Sequence, residues 1–259
     1  MAENGFRVEV ADRLATVTLS RPDALNTLTF ATMDALTELF AGFNHDDDVW
    51  AVLLTARGER AFCAGIDIKA AGAQQPSGMA AMPMGGPRRN LFETMLECTK
   101  PVVAAVNGAA AGAGCELALA SDIRIMAEHA RIGLPEAKVG MGANFANQIL
   151  PRLIARGHAY EMLYTGELIS ARQAFDWGLV NRVVPAAQLH GEARDLCRKI
   201  IGNAPLTVRR YKELLTKGAD LPMAAALRLN AGPHPYTSED RLEGFAAFRE
   251  KRTPQWRAR

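Results

Sequence analysis

Apolar and polar positions change their rhythm along this chain, from strand-like runs in the first half to helical spacing in the last third. Residues 6–10 and 14–19 flank a turn at Asp12 and predict a hairpin. Phe30, Met33, Leu36, Phe40 and Phe43 mark one face of an amphipathic helix that fades at 45–48. Residues 49–55 and 102–106 read as buried strands, and 122–126, 131–133 and 179–184 as further strands, with a helix over 88–98. Ser170 and Gln173 form a capping box that opens a helix to Trp177, itself read as core. From Pro185 onward, Leu189, Ala193, Leu196 and Ile200 form an apolar stripe. Further helices are expected at 206–217, 222–230 and 239–251. The Gly, Ala, Pro, Gln and Met residues of 70–87 predict a surface loop, with Met79, Met82 and Met84 either lining an acyl pocket or standing at a bare tip. No fixed repeat period is visible, which argues against a solenoid of the usual kind.

Composition narrows the class. The 259 residues are 49% hydrophobic, enough for one large α/β domain or a domain with a small appendage. A formal net charge of +2 gives no strong field toward nucleic acid or membrane, and neither is expected as a partner. Arg209, Arg210 and Lys212 form a small basic cluster, read as a solvated helix face, with RNA contact as the alternative. No apolar run has the length of a membrane span, and MAENGFRVEV lacks the apolar centre of a signal peptide. Cys63, Cys98, Cys115 and Cys197 stand in apolar contexts without a CxxC pair, the usage of a reduced, cytoplasmic protein with small buried thiols. The five histidines are isolated, so no metal site is expected.

Three segments carry candidate chemistry. In VVAAVNGAAAGAGCELALA, 102–120, a buried strand leads through Gly and Ala into an apolar helix whose first turn holds Glu116. Small side chains admit another molecule close to the backbone, and a helix start offers unpaired N–H groups to negative charge. AFCAGIDIK, 61–69, places Ile66 after Gly65 at an expected helix start. In RIGLPEAKVG, 131–140, Pro135 fixes the backbone before Glu136. Each of the last two, taken alone, is a plain strand-to-helix turn or a surface glutamate. Together they allow the Ile66 and Ala113 N–H groups to meet on one carbonyl oxygen, flanked by Glu116 and Glu136. Such a group suits proton transfer through an enolate. Repulsion and desolvation are expected to raise one carboxyl, while the helix start keeps Glu116 ionised. A rival from another class is an NAD-dependent short-chain dehydrogenase, suggested by Gly108, Gly112 and Gly114 after a strand. None of Tyr160, Tyr164, Tyr211 or Tyr236 has the Lys four residues on which that catalytic pair requires.

Six blocks in order, RPDALNTL at 21–28, GERAFCAGIDIK at 58–69, KPVVAAVNGAAAGAGCELALASDIRI at 100–125, IGLPEAKVG at 132–140, TGELISARQAFDWGLVNRVVP at 165–185 and SEDRLEGFAAFREKR at 238–252, resemble the enoyl-CoA hydratase/isomerase (crotonase) superfamily. The resemblance implies an α/β fold: a crotonase-like spiral of ββα units over 1–185, with a helical C-terminal trimerisation region over 186–259. It also implies an acyl-CoA thioester substrate, no cofactor apart from the coenzyme A of that substrate, and a homo-oligomer, trimer or dimer of trimers. By position, Ile66 and Ala113 match the oxyanion hole, Ala113 replacing the usual Gly, and Glu116 and Glu136 match both catalytic glutamates of the hydratases. Ala24, Ala64, Asp67 and Ile68 match the coenzyme A path. Phe248 and Lys251 match residues that close over its adenine and phosphates, frequently from a neighbouring subunit. Hydration is therefore expected, with isomerase, hydrolase or other lyase chemistry on the same scaffold as the alternative. One departure stands out: 142–148, GANFANQ, has Asn144 and Phe145 where hydratases carry a Gly-Gly-Thr step that helps place water.

Overall fold

The first hairpin consists of β1 (Phe6–Ala11) and β2 (Leu14–Leu19), antiparallel, with Phe6 opposite Leu19 and Ala11 opposite Leu14. Asp12 and Arg13 turn the chain with φ of 51° and 67°, the double positive φ whose twist matches the flanking strands. The computed structural model describes residues 4–67 and 89–259. β2 runs parallel to β3 (Ala51–Ala56), β3 to β5 (Val102–Val106), β5 to β7 (Ile123–Ala127) and β7 to β10 (Arg182–Val184). This sheet has the order β1-β2-β3-β5-β7-β10. A second sheet has the order β4 (Ala61–Cys63), β6 (Ala109–Ala111), β8 (Arg131–Gly133), β9 (Leu168–Ser170). Each pass of the chain lays one strand in the first sheet and the next in the second: β3 then β4, β5 then β6, β7 then β8. That is the ββα spiral. AVLLTA and VVAAV are continuous apolar runs because β3 and β5 are buried along their whole length.

Helices close the layers. α1 (Phe30–Phe43) is capped by Thr29, whose Oγ1 accepts from the Thr32 N–H, and buries Leu36, Phe40 and Phe43. α2 (Leu91–Glu97) opens on a full capping box between Asn90 and Glu93. α3 (Ala113–Ala120) is buried at all eight positions and packs on β4, β6, α2 and the following α4 (Ala146–Leu153). After α5 (Arg156–Thr165), α6 (Ala171–Asp176) has the Ser170 cap expected of it. α7 (Leu189–Ile201) lies across β2, β3, β5 and β7, so the first helix after residue 185 belongs to the core layer. α8 (Pro205–Gly218), α9 (Met223–Ala226) and α10 (Glu239–Glu250) complete the described chain.

Several expectations are corrected. The strand expected over 179–184 is ordered only from Arg182, because Leu179 and Val180 are buried in the turn that follows α6. The helix expected over 222–230 is the four-residue α9; its apolar Met223 and the following Leu227 stay exposed. The basic cluster on α8 is not the solvated face expected at all three positions. Lys212 is buried, its Nζ donating to Lys100 O at 3.0 Å and pairing with Asp122 at 2.8 Å, while Arg210 binds the carbonyls of Ala231 and Pro233. All four cysteines are free and buried.

Candidate active site

Two glycines let the turns of the spiral touch. A Cβ on Gly114 would stand 2.0 Å from the Cys63 carbonyl oxygen, and one on Gly108 2.7 Å from the backbone of 59–61. The first turn of α3 is thereby pressed onto the end of β4. Beyond β4 the chain forms a parallel bridge between Ile66 and Leu28: the Leu28 N–H donates to Gly65 O at 2.9 Å and the Asp67 N–H to Leu28 O at 2.8 Å. The N–H of Ile66 points away from that bridge. Gly65, with φ of 105°, turns its side-chain direction toward Ala111 O and Ala113 N, 3.2 and 3.8 Å from where a Cβ would stand. Ile66 is thus carried by a strand-like bridge and not by the helix start expected at it, and residues 68–88 are outside the described residues.

Ala113 is the first residue of α3, and its N–H is one of the four a helix start leaves without an internal acceptor. The left-handed backbone falls on Gly112 (φ 57°), so Ala113 keeps its Cβ without strain. Gly112 N–H donates to Gly133 O at 3.0 Å, tying this turn to β8.

The two carboxylates approach from different sides. Glu116 is 7% exposed, and its Oε1 accepts N–H bonds from Phe145 at 3.1 Å and Ala146 at 3.0 Å, at the start of α4. Glu136 sits on a 3-10 turn, Pro135–Val139, opened by Pro135 and closed by Gly140 at φ 68°. Its Oε1 lies 2.9 Å from the position of a Cβ on Gly112, and its buried Oε2 has no hydrogen-bond partner among the described residues. Burial pushes the Glu116 carboxyl up to about 7; the Ala146 N–H relieves part of this, the Glu136 charge adds to it and the Phe145 N–H opposes it. Burial also raises Glu136. The helix start therefore does not by itself keep Glu116 in the ordinary carboxylate range, as the sequence suggested. Removal from water outweighs it.

A wall beside Ile66 gathers three more of the expected residues. Ala24 lies on the 3-10 turn Pro22–Ala24, the Ala64 N–H donates to Leu25 O at 3.0 Å, and Asp67 pairs with Arg21 at 2.9 Å. Asn26 holds this wall, accepting from the Arg21 N–H and donating to Arg57 O and Ala61 O. Ile68 and the 70–87 segment with Met79, Met82 and Met84 lie outside the described residues. Phe248 and Lys251 stand exposed on and just after α10, which packs on the Pro235–Thr237 turn and on the C-terminal residues, where Asp240 accepts from the Arg257 and Ala258 N–H groups. The Phe145 and Ala146 donors and the Gly112 seat were not foreseen. The departure at 142–148 marked the region, but a backbone N–H has no signature in sequence.

β6 intervenes between β5 and α3 and belongs to the second sheet. The glycines of 108–114 are therefore not a direct strand-to-helix nucleotide turn, and the dehydrogenase reading loses its motif.

This two-sheet spiral with helices at its C-terminus is the crotonase fold. Enoyl-CoA hydratase from Bacillus anthracis shares it with a TM-score of 0.88 and 34% identity, over 98% of this chain and 100% of that one. Residues 9–259 match the enoyl-CoA hydratase/isomerase family. The (E)-benzylidenesuccinyl-CoA hydratase of Thauera aromatica is 40% identical over 254 residues, 96% of this chain and 98% of that protein. The short-chain-enoyl-CoA hydratase of Clostridium acetobutylicum is 35% identical over 255 residues, 97% of each. The chain belongs to the enoyl-CoA hydratase/isomerase family and is an enzyme of that family.

Proposed function

We propose that this enzyme is an enoyl-CoA hydratase, adding water across the 2,3 double bond of a trans-2-enoyl-CoA through a thioester enolate. The observation that carries the proposal is the meeting of two separate turns at Gly65 and Ala113, with Glu136 seated on Gly112 beside them and Glu116 on the same helix. The thioester oxygen accepts from the Ile66 and Ala113 N–H groups. Glu116 takes a proton from water as the water oxygen bonds to Cβ, and the π electrons move onto the thioester oxygen. The enolate then collapses as Cα takes the proton of Glu136, and the proton on Glu116 returns to Glu136 through solvent. One such N–H donor is worth about 10²–10³ in rate.

Burial raises both carboxyls, and the hydrogen bonds around them support these roles. A buried carboxyl and a half-buried one that repel each other share one proton most readily. The active arrangement has the charge on Glu116, which has two N–H donors, and the proton on Glu136, whose Oε2 has no partner among the described residues. Coenzyme A enters as part of the substrate, along Ala24, Ala64, Asp67 and Ile68, and no separate cofactor takes part.

The test is a panel of trans-2-enoyl-CoA thioesters of increasing chain length, with the product identified by the mass of one added water. Glu116→Gln and Glu136→Gln each lower hydration by orders of magnitude while leaving thioester affinity nearly intact. Retained turnover in either variant refutes the roles given.

We further infer that the enzyme works in the cytoplasm as a homotrimer, alone or paired into a hexamer, in which Phe248 and Lys251 of a neighbouring copy close over the nucleotide end. Leu242, Phe245 and Phe248 on α10 are 70%, 60% and 84% exposed, an apolar surface that supports self-association. Lys251 supplies positive charge for phosphate. Four buried free thiols suit a reducing compartment, and no helix of the described residues is long and apolar enough to cross a membrane.

A further inference from the structure

We propose that Phe92 is a positioning residue for Glu116, acting through the ring of Phe145 to hold two main-chain donors on the carboxylate. Its kinetic part rests on the hydratase reading above.

Phe145 occupies the residue before α4, where Ser, Thr, Asp or Asn usually fixes a helix start by a side-chain bond. Here no side chain caps the helix. The ring of Phe145, 4% exposed, instead packs on the ring of Phe92, 6% exposed, with centroids 5.6 Å apart and planes at 31°. Phe92 is itself well anchored, as the second residue of α2. There Asn90 Oδ1 accepts from the Glu93 N–H and Glu93 Oε2 from the Asn90 N–H, both at 3.0 Å. The chain of contact is therefore α2, Phe92, Phe145, then the Phe145 and Ala146 N–H groups on Glu116 Oε1. α3 packs on both α2 and α4, and the Phe92–Phe145 ring pair bridges α2 to the start of α4. Both donors favour the charged form of the carboxylate, so a shift of α4 weakens the base in position and in charge together.

Among the described residues, the elements packed around Glu116 bring few other charged or titratable groups. The 3-10 turn brings Glu136, and α3 itself brings the Cys115 thiol, held neutral by burial. α2 brings Glu93 and Glu97, both engaged by Arg89, and α4 brings Arg152, paired with Asp220.

The experiment compares wild type, Phe92→Ala and Phe92→Leu in two ways. The first is the pH titration of the carboxylic-acid C=O infrared band that disappears in Glu116→Gln, which requires no substrate. The second is steady-state hydration of the enoyl-CoA that wild type turns over fastest. Phe92→Ala is expected to titrate Glu116 at higher pH than wild type and to lower kcat by about tenfold to a hundredfold with little change in KM. Phe92→Leu, which keeps apolar volume without the ring face, gives intermediate values and carries the test if the alanine variant does not fold. A folded variant whose Glu116 band titrates as in wild type overturns the proposal. A shifted band in an enzyme that hydrates no enoyl thioester supports the positioning role and refutes the hydratase reading, so the two failures are distinct.

Discussion

Glu136 Oε1 stands 2.9 Å from the place a Cβ would take on Gly112, at a backbone φ of 57°. One glycine thus seats Glu136 and turns the chain into the helix that carries Glu116. Gly112→Ala puts an alanine at φ 57° and ψ −125°, a strained backbone costing about 1–3 kcal/mol, and a methyl where the carboxyl lies. The variant is expected to lose about a hundredfold in kcat with a modest fall in Tm. A variant with wild-type kcat contradicts the seating of Glu136.

The pH dependence of the reaction follows from the shared proton. Burial raises Glu136 and brings Glu116 to about 7, and the active form holds one proton on the pair. kcat/KM is expected to decline as pH rises through about 7, where that proton is lost, and again at low pH, where a second is gained. Initial rates across neutral pH check this. A flat profile through pH 7 is inconsistent with a pair that titrates there.

Stability carries the same signature with a definite sign. The native Glu116 carboxyl binds its proton more tightly than the unfolded chain, whose value is the ordinary 4.5. Between 4.5 and about 7 the folded state therefore holds more protons, and stability falls as pH rises across that window, by about 3 kcal/mol for this group. Glu116→Gln removes the buried charge while keeping an acceptor for the Phe145 and Ala146 N–H groups. Its Tm is expected to exceed that of wild type above neutral pH and to converge with it at acid pH. Equal Tm values at every pH refute the burial penalty assigned to Glu116.

The thiols give an independent check on packing. Burial pushes Cys63 and Cys197 up to about 12 and raises Cys98 and Cys115 as well. A thiolate is the reactive species, so the native enzyme is expected to leave all four unmodified by a disulfide reagent and the denatured chain to expose all four. A cysteine that reacts quickly in the folded enzyme contradicts its burial.

What the sequence made legible is what repeats or concentrates along it. The runs AVLLTA and VVAAV, the Phe30–Phe43 stripe and the ordered motif blocks identify strands, a helix and the family. β6 was not legible because three alanines carry no strand preference; the strand exists because β4 and β8 flank it and Gly108 allows the approach. Lys212 looked solvated because its partners, Asp122 and the Lys100 carbonyl, are distant in the chain. The two glutamates and the two proposed oxyanion positions are what the family resemblance alone implies. Their surroundings were not legible, since the donors to Glu116 are main-chain N–H groups and the seat of Glu136 is the absence of a side chain at Gly112.

The most direct measurement is the carbonyl stretch of an enoyl-CoA labelled with 13C at the thioester carbon, recorded bound to the enzyme and free in solution. Two converging N–H donors from Ile66 and Ala113 are expected to lower the bound frequency, and to do so equally in Glu116→Gln and Glu136→Gln, which keep both amides. A bound thioester whose carbonyl vibrates as it does in water contradicts an oxyanion hole at these two residues.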